Sequence, residues 1–189
     1  MSSRASTRKR RAGRPRNPVS RDTLLTAAVT AFADHGYVAA SLDRIATETG
    51  IRKSSLLHRF GSKEALYLEA VTAVLGNLDE LVQEAAESTE DFAERLDRLS
   101  RLITDYLTGE PRAARLLFRE AMDRGPFFSG AGGPVFLHVL NTAVSFVEAG
   151  VEAGEFRTSD AADTVMSIVG VHLSYFAIHE LSEQVRGET

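Results

Sequence analysis

Residues 21–66 read RDTLLTAAVTAFADHGYVAASLDRIATETGIRKSSLLHRFGSKEAL, and the punctuation of this stretch decides the fold. Ser20 precedes Arg21–His35, where Leu24, Leu25, Ala28 and Phe32 recur at spacings of three, four and seven, the pattern of an amphipathic helix. Gly36 stands where such a helix ends in a left-handed residue. Ser41 is placed to cap a second helix over Leu42–Thr49, with Leu42, Ile45 and Ala46 inward. Gly50 stops that helix, and a third is expected from about Lys53 to Arg59, closed by Phe60-Gly61. Three short helices and two tight glycine turns within about forty-five residues have the size of a helix-turn-helix domain, with the motif inside residues 41–60.

Such a motif needs a buried apolar contact between its helices, a tight turn, and small or polar side chains aimed at the bases. Ile45, Ala46, Ile51 and Leu56 can supply the contact, and Gly50 the turn. The outward set on the last helix is Arg52, Lys53, Ser54, Ser55, His58 and Arg59. No carboxylate stands between Glu48 and Glu64 to repel phosphate. Arg44 is spaced either to touch a nucleic-acid backbone or to pair with Glu48 four residues on.

The ordered combination of Leu-x-x-Ala-Ala-x-x-x-Phe, Gly36, Ser41, Ile45-Ala46, Gly50-Ile51, Leu56, Phe60 and Ser62-Lys63-Glu64-Ala65-Leu66 resembles the N-terminal domain of TetR-type repressors. The resemblance covers about a quarter of the chain. It implies Lys53, Ser54 and Ser55 at base edges and His58 and Lys63 at phosphates. Ser41, Arg44, Arg52 and Arg59 complete the expected DNA-contacting set. Lysine can reach guanine O6 and N7, and a serine hydroxyl can contact base or phosphate. Lys63 also opens a helix whose first amides attract phosphate. Leu57 departs from the family, which usually has a tyrosine there for a phosphate contact.

Working outward, residues 1–63 hold thirteen Lys/Arg against four Asp/Glu, a net of +9, whereas residues 64–189 carry nine against twenty-two, a net of −13. A basic end on an acidic body points to a polyanion-binding module on something that avoids polyanions. Residues 1–19 form an Arg-, Ser- and Pro-rich arm with almost no apolar content, expected to be disordered alone. Its Gly13-Arg14-Pro15-Arg16 resembles the core of an AT-hook, in which Arg14 and Arg16 would enter a minor groove; nonspecific phosphate attraction is the competing reading.

Toward the other end, Ser62 can cap a long helix over Lys63–Ala86, roughly 36 Å at ~1.5 Å per residue. Further helices are expected after Thr89, over Arg112–Asp123, over Val135–Ala153 and over Asp160–Val185, the last capped by Ser159. Residues 124–134, RGPFFSGAGGP, read as a flexible loop in which Phe127 and Phe128 could form a gate. No alternating strand-like run occurs. The expected architecture is all-α: an arm over 1–19, a helix-turn-helix domain over 20–66 and a larger helical ligand-binding and dimerisation domain over 67–189.

The resemblance implies a homodimer formed through the last two helices, binding a double-stranded pseudo-palindromic operator, and a small hydrophobic effector among the middle helices. Candidate effector residues are Tyr106, Phe118, Met122, Phe127, Phe128, His138, His172 and Tyr175, with Phe136 beside them. A constitutive or architectural DNA-binding protein would share the basic end but lack a cavity.

Other classes find little support. There is no cysteine, hence no disulfide or thiolate metal site. His172, His179 and Glu183 share a helical spacing but make no clear metal set, and no cofactor is expected. GxxxxGK[ST], HExxH and GxSxG are all absent, so no enzyme is expected. Neither a signal-peptide h-region nor an uninterrupted apolar run of spanning length was found, so a cytoplasmic protein with no membrane partner is expected.

Overall fold

A computed structural model describes residues 19–87, 91–130, 132–157, 160–178, 181, 184, 185 and 187. These contain eight α-helices and no strand. α1 (Arg21–Ala39), α2 (Leu42–Glu48) and α3 (Lys53–Phe60) form the head. α4 (Lys63–Ala86), α5 (Phe92–Gly109), α6 (Pro111–Asp123), α7 (Gly133–Glu152) and α8 (Ala161–Ala177) form the body.

Two serines act as their spacing predicts. Ser20 Oγ accepts from Thr23 N at 3.0 Å, and Ser62 Oγ from Ala65 N at 3.0 Å. Ser41 occupies the N-cap position of α2 but makes no side-chain cap bond. α1 runs past its expected end, broken inside at Gly36 with φ 73. The cap of α5 is Asp91, and that of α8 is Asp160; Thr89 and Ser159 lie outside the described residues. α8 stops at Ala177 rather than Val185, where Ile178 leaves helical geometry.

One core runs through head and body. Leu24, Phe32, Ile45, Leu56 and Leu66 pack with Val71 and Leu75 of α4, Leu116 of α6, and Phe127. The expected division after Leu66 therefore marks no break in packing. A second cluster at the far end joins Val82, Phe92, Leu99 and Phe146. Asp34 of α1 meets Arg112 at 3.4 Å and Arg115 at 3.3 Å, and Arg115 Nε also donates to the Ala177 carbonyl, tying α1, α6 and α8 together.

The 124–134 segment is not the free gate its composition suggested. Phe127 is 1% exposed, wedged into the core where a Cβ at Gly132 would collide with its ring. Burying a phenyl ring outweighs the freedom that the surrounding glycines allow. The same loop closes over Glu120, also 1% exposed, which accepts from the Tyr67 hydroxyl and from Phe128 N at 2.8 Å. A Cβ at Gly125 would strike that carboxylate, so only glycine lets the chain pass so close. Burial and the Glu120 bond push the Tyr67 phenol well above its ordinary pKa.

α7 is long and apolar enough, by length and composition, to cross a membrane. Its sequence carries His138, Asn141, Glu148 and Glu152, while Phe146 and Val147 are buried against the rest of the body.

Candidate nucleic-acid interface and ligand cavity

The turn between α2 and α3 is a complete Schellman closure. Ile51 N donates to the Ala46 carbonyl at 2.9 Å and Gly50 N to Thr47 at 3.1 Å, with Gly50 at φ 70. That closure, with Ile45, Ala46 and Leu56 buried beneath it, fixes how α3 projects. Arg52, Lys53, Ser54, Ser55 and His58 all stand exposed on it. The geometry thus brings together five of the expected contact residues on one ridge with no carboxylate of its own.

Their neighbours qualify the picture. Lys53 Nζ lies 2.7 Å from Asp43 Oδ2 of α2, both side chains largely solvated. Arg44 Nε does pair with Glu48, at 2.8 Å, and its NH1 meets His35 Nε2 at 2.8 Å. Arg59 turns away from the ridge: half-buried, it donates to the Val19 carbonyl and pins the root of the N-terminal arm. Lys63 Nζ donates to the Val38 carbonyl at 2.9 Å and sits over the Tyr37 ring, 5.1 Å from its centroid. Partial burial lowers its pKa. Leu57 is half-buried. Arg14 and Arg16 lie outside the described residues.

Arg21 is a residue the sequence reading passed over. Its guanidinium lies 4.4 Å from the Phe60 ring centroid and bonds Glu69 of α4, bracing α1 against α3 and α4. The signal was available, since a long cation at a helix start often covers an aromatic ring.

Inside the body α4, α5, α7 and α8, with Leu117 of α6, line a partly open cavity of about 310 Å³. Leu75, Leu78, Ile103, Val139, Phe146 and Val169 are typical of its wall, in which Ser100 and His172 are the polar members. Of the effector candidates, His172 lines it, as does neighbouring Phe136. The others stand elsewhere. Tyr106 is half-buried and receives a 3.3 Å bond from Asn77, with burial raising its pKa. Phe118 is half-buried on α6 and Met122 is 69% exposed. Phe127 belongs to the core, and Phe128 packs on Phe136 at 4.4 Å between centroids. His138 is exposed, 3.7 Å from Asp79, and Tyr175 is exposed beside Phe176. Sequence reasoning favoured aromatic and imidazole side chains, but the helices diverge where their faces are aliphatic. His179 and Glu183 lie outside the described residues, and those described hold no cluster suited to a metal.

Residues 24–70 match the family model described as bacterial regulatory proteins, tetR family, and residues 93–188 match that of the tetracyclin repressor-like C-terminal domain. The transcriptional activator FasR of Mycolicibacterium smegmatis is 35% identical over 109 residues, covering 58% of this chain and 50% of that protein. The chain thus spans about half the length of such a curated relative. Among solved structures, the fatty acid degradation regulator FadR of Bacillus halodurans superimposes with a TM-score of 0.72 at 22% identity, covering 87% of this chain and 89% of that one. FadR of Bacillus subtilis, solved with stearoyl-CoA, gives 0.72 at 18% identity over the same shares. These two structures carry the fold, while the C-terminal family model alone takes in half of the chain, and with the N-terminal one it leaves little unassigned. The chain belongs to the TetR family of bacterial regulatory proteins.

Proposed function

We propose that the chain is a transcriptional repressor that binds a pseudo-palindromic operator as a homodimer and is modulated by a small hydrophobic effector. One observation carries the reading: α4 belongs to both ends. Its first residue, Lys63, anchors against the head, while Leu75, Leu78 and Val82 of the same helix line the cavity. A ligand that pushes on those three side chains bears on a rigid strut of 24 residues, about 36 Å long at ~1.5 Å per residue, whose far end carries the reading head. Ligand and operator then compete or cooperate through one coupling free energy.

Arg52, Lys53, Ser54, Ser55 and His58 form the groove-facing ridge, flanked by Ser41, Arg44 and Lys63. The exposed side chains of Leu137, Met166, Val171, Tyr175 and Ile178 on and just beyond α7 and α8 supply the face for a second copy. One FadR neighbour is named for fatty acid degradation and the other was solved with stearoyl-CoA, and an apolar cavity of this size suits an aliphatic chain. A constitutive DNA-binding protein would have no use for such a cavity.

Selection of bound fragments from random duplex DNA tests the reading. Two half-sites about one helical turn apart are expected, and binding without sequence preference would overturn it. Removing residues 1–17 should weaken binding and flatten its salt dependence, since this segment holds seven Lys/Arg and no acid. An unchanged salt slope would remove the arm from the interface.

A further inference from the structure

We infer that Arg59 is a positioning residue: it fixes the root of the N-terminal arm so that Arg14 and Arg16 enter the minor groove beside each half-site and add a preference for A·T pairs there. This rests on the operator reading above and extends it to base pairs that α3 does not touch.

Residues 19–21 are clasped to the last turn of α3 from both directions. Arg59 Nη1 donates to the Val19 carbonyl at 2.5 Å, while Arg21 Nη1 lies 3.5 Å from the carbonyl of Arg59 itself. Arg21 is held in turn by Glu69 and by the Phe60 ring, and the Val19 side chain packs against the core. Helix α1 does not need the Arg59 bond in order to begin, because Ser20 already caps it. What the bond adds is a fixed point of departure for the chain before Val19. Its acceptor is a neutral carbonyl rather than a carboxylate, so the positive charge at that point is kept.

That point lies at the reading end of the head, since His58 of the ridge directly precedes Arg59 in α3. Of the seven Lys/Arg in residues 1–17, Arg16 and Arg14 stand three and five residues before Val19. At no more than ~3.6 Å per residue, their backbones reach at most about 11 and 18 Å from it. A single DNA strand separates the major groove, about 12 Å wide, from a minor groove about 6 Å wide. The anchored arm therefore reaches the adjacent minor groove but not the next helical turn, about 34 Å away. Arginine is drawn into a minor groove narrowed by A·T pairs, where the negative potential is strongest. Two arginines on a fixed tether thus sample a few defined base pairs, whereas an unanchored basic tail would spread over any phosphate.

Competition binding of the full-length chain to its selected operator, flanked by either A·T-only or G·C-only pairs, tests this. The quantity read is the ratio of the two affinities, which the folded fraction of a variant does not alter. The full-length chain should prefer the A·T flank by about tenfold, within the range for one base position. Removing residues 1–17 should bring the ratio to about one. Arg59→Met keeps the apolar stem and loses the donor, and should cut the ratio to about threefold or less. Arg59→Lys can still donate to the Val19 carbonyl and should retain most of it. In the chain lacking residues 1–17, Arg59→Met should shift either affinity by less than about twofold, because the residue acts through the arm. Equal affinity for both flanks in the full-length chain overturns the inference and leaves the operator reading standing. So does an Arg59→Met chain that keeps the full ratio. A loss that is the same on both flanks, or that survives the truncation, also overturns it by making Arg59 a phosphate contact or a purely structural residue. Failure to select any operator removes the operator reading along with it.

Discussion

Head and body leave opposite kinds of surface unsatisfied. Of the head's large apolar side chains only Val38 stands well exposed among the described residues, while α3 presents a cationic and hydroxylic ridge. The body exposes large apolar side chains, with Leu137 57%, Met166 54% and Val171 66% accessible, and keeps an apolar cavity within. A surface rich in donors and cations is complete only against a polyanion, and an exposed aliphatic face only against another aliphatic face. The two ends thus call for partners of different chemistry, yet one core joins them. Glu120 backs this joint from the body side, bonded to Tyr67 of α4, whose ring packs on Phe32 of α1 with centroids 4.8 Å apart, and to the backbone of the loop that carries Phe127.

Breaking that joint should have the largest effect. Glu120→Ala leaves a buried phenol and a backbone amide unpaired and opens a void beside Gly125, a loss of about 3–5 kcal/mol in unfolding free energy. Urea denaturation measures it, and Glu120→Gln, which keeps an acceptor for Tyr67, should recover roughly half. A loss below about 1 kcal/mol would mean that head and body do not depend on this contact. Next comes Val171→Glu, which places a carboxylate on the body's exposed apolar face. Dimerisation should weaken by about 2–4 kcal/mol with the monomer's melting temperature nearly unchanged. Sedimentation at graded concentrations reads this directly, and an unaltered dimer would move the interface elsewhere.

The head was legible in sequence because each of its devices is local. Gly50 ends α2 by its own φ, Ser20 and Ser62 cap within three residues, and Leu42, Ile45 and Ala46 repeat at helical spacing. The body was legible only as a set of helices. Its cavity depends on where α4, α5, α7 and α8 diverge, which no spacing within one helix encodes, and so the aromatic candidates were mostly misplaced. Phe127 looked like a gate because composition reports the glycines around it, not the pocket beneath. Glu120 could have been suspected: four residues after Leu116 and three after Leu117, it falls on the buried face of α6, opposite a tyrosine whose hydroxyl needed a partner. Arg59 failed for another reason. Its side chain is long enough to leave the ridge for the Val19 carbonyl, a choice set by tertiary contact.

A smaller effect separates recognition from stability on the head's own surface. Lys53→Ala should lower affinity for the selected operator by about 1–3 kcal/mol, the range for one good base contact, and relax preference at a single base pair. The fold should not notice. Competition binding against nonspecific duplex checks this, because a uniform loss across all sequences would make Lys53 a phosphate contact.

The smallest expected effect has the more instructive sign. In the free protein Lys53 is engaged by Asp43 at 2.7 Å, but the two side chains are 47% and 68% exposed. Such a pair contributes about 0–1 kcal/mol at most, and less in salt. To reach a base, Lys53 must leave Asp43, and the abandoned carboxylate then faces DNA phosphate at short range. Asp43→Ala removes both penalties. Operator affinity should therefore rise by about two- to fivefold, corresponding to the upper part of that range, while the melting temperature stays within about a degree. The gain should shrink as salt is raised, since the repulsion it relieves is screened. Weaker operator binding in this variant would show that Asp43 positions Lys53 for the groove rather than restraining it.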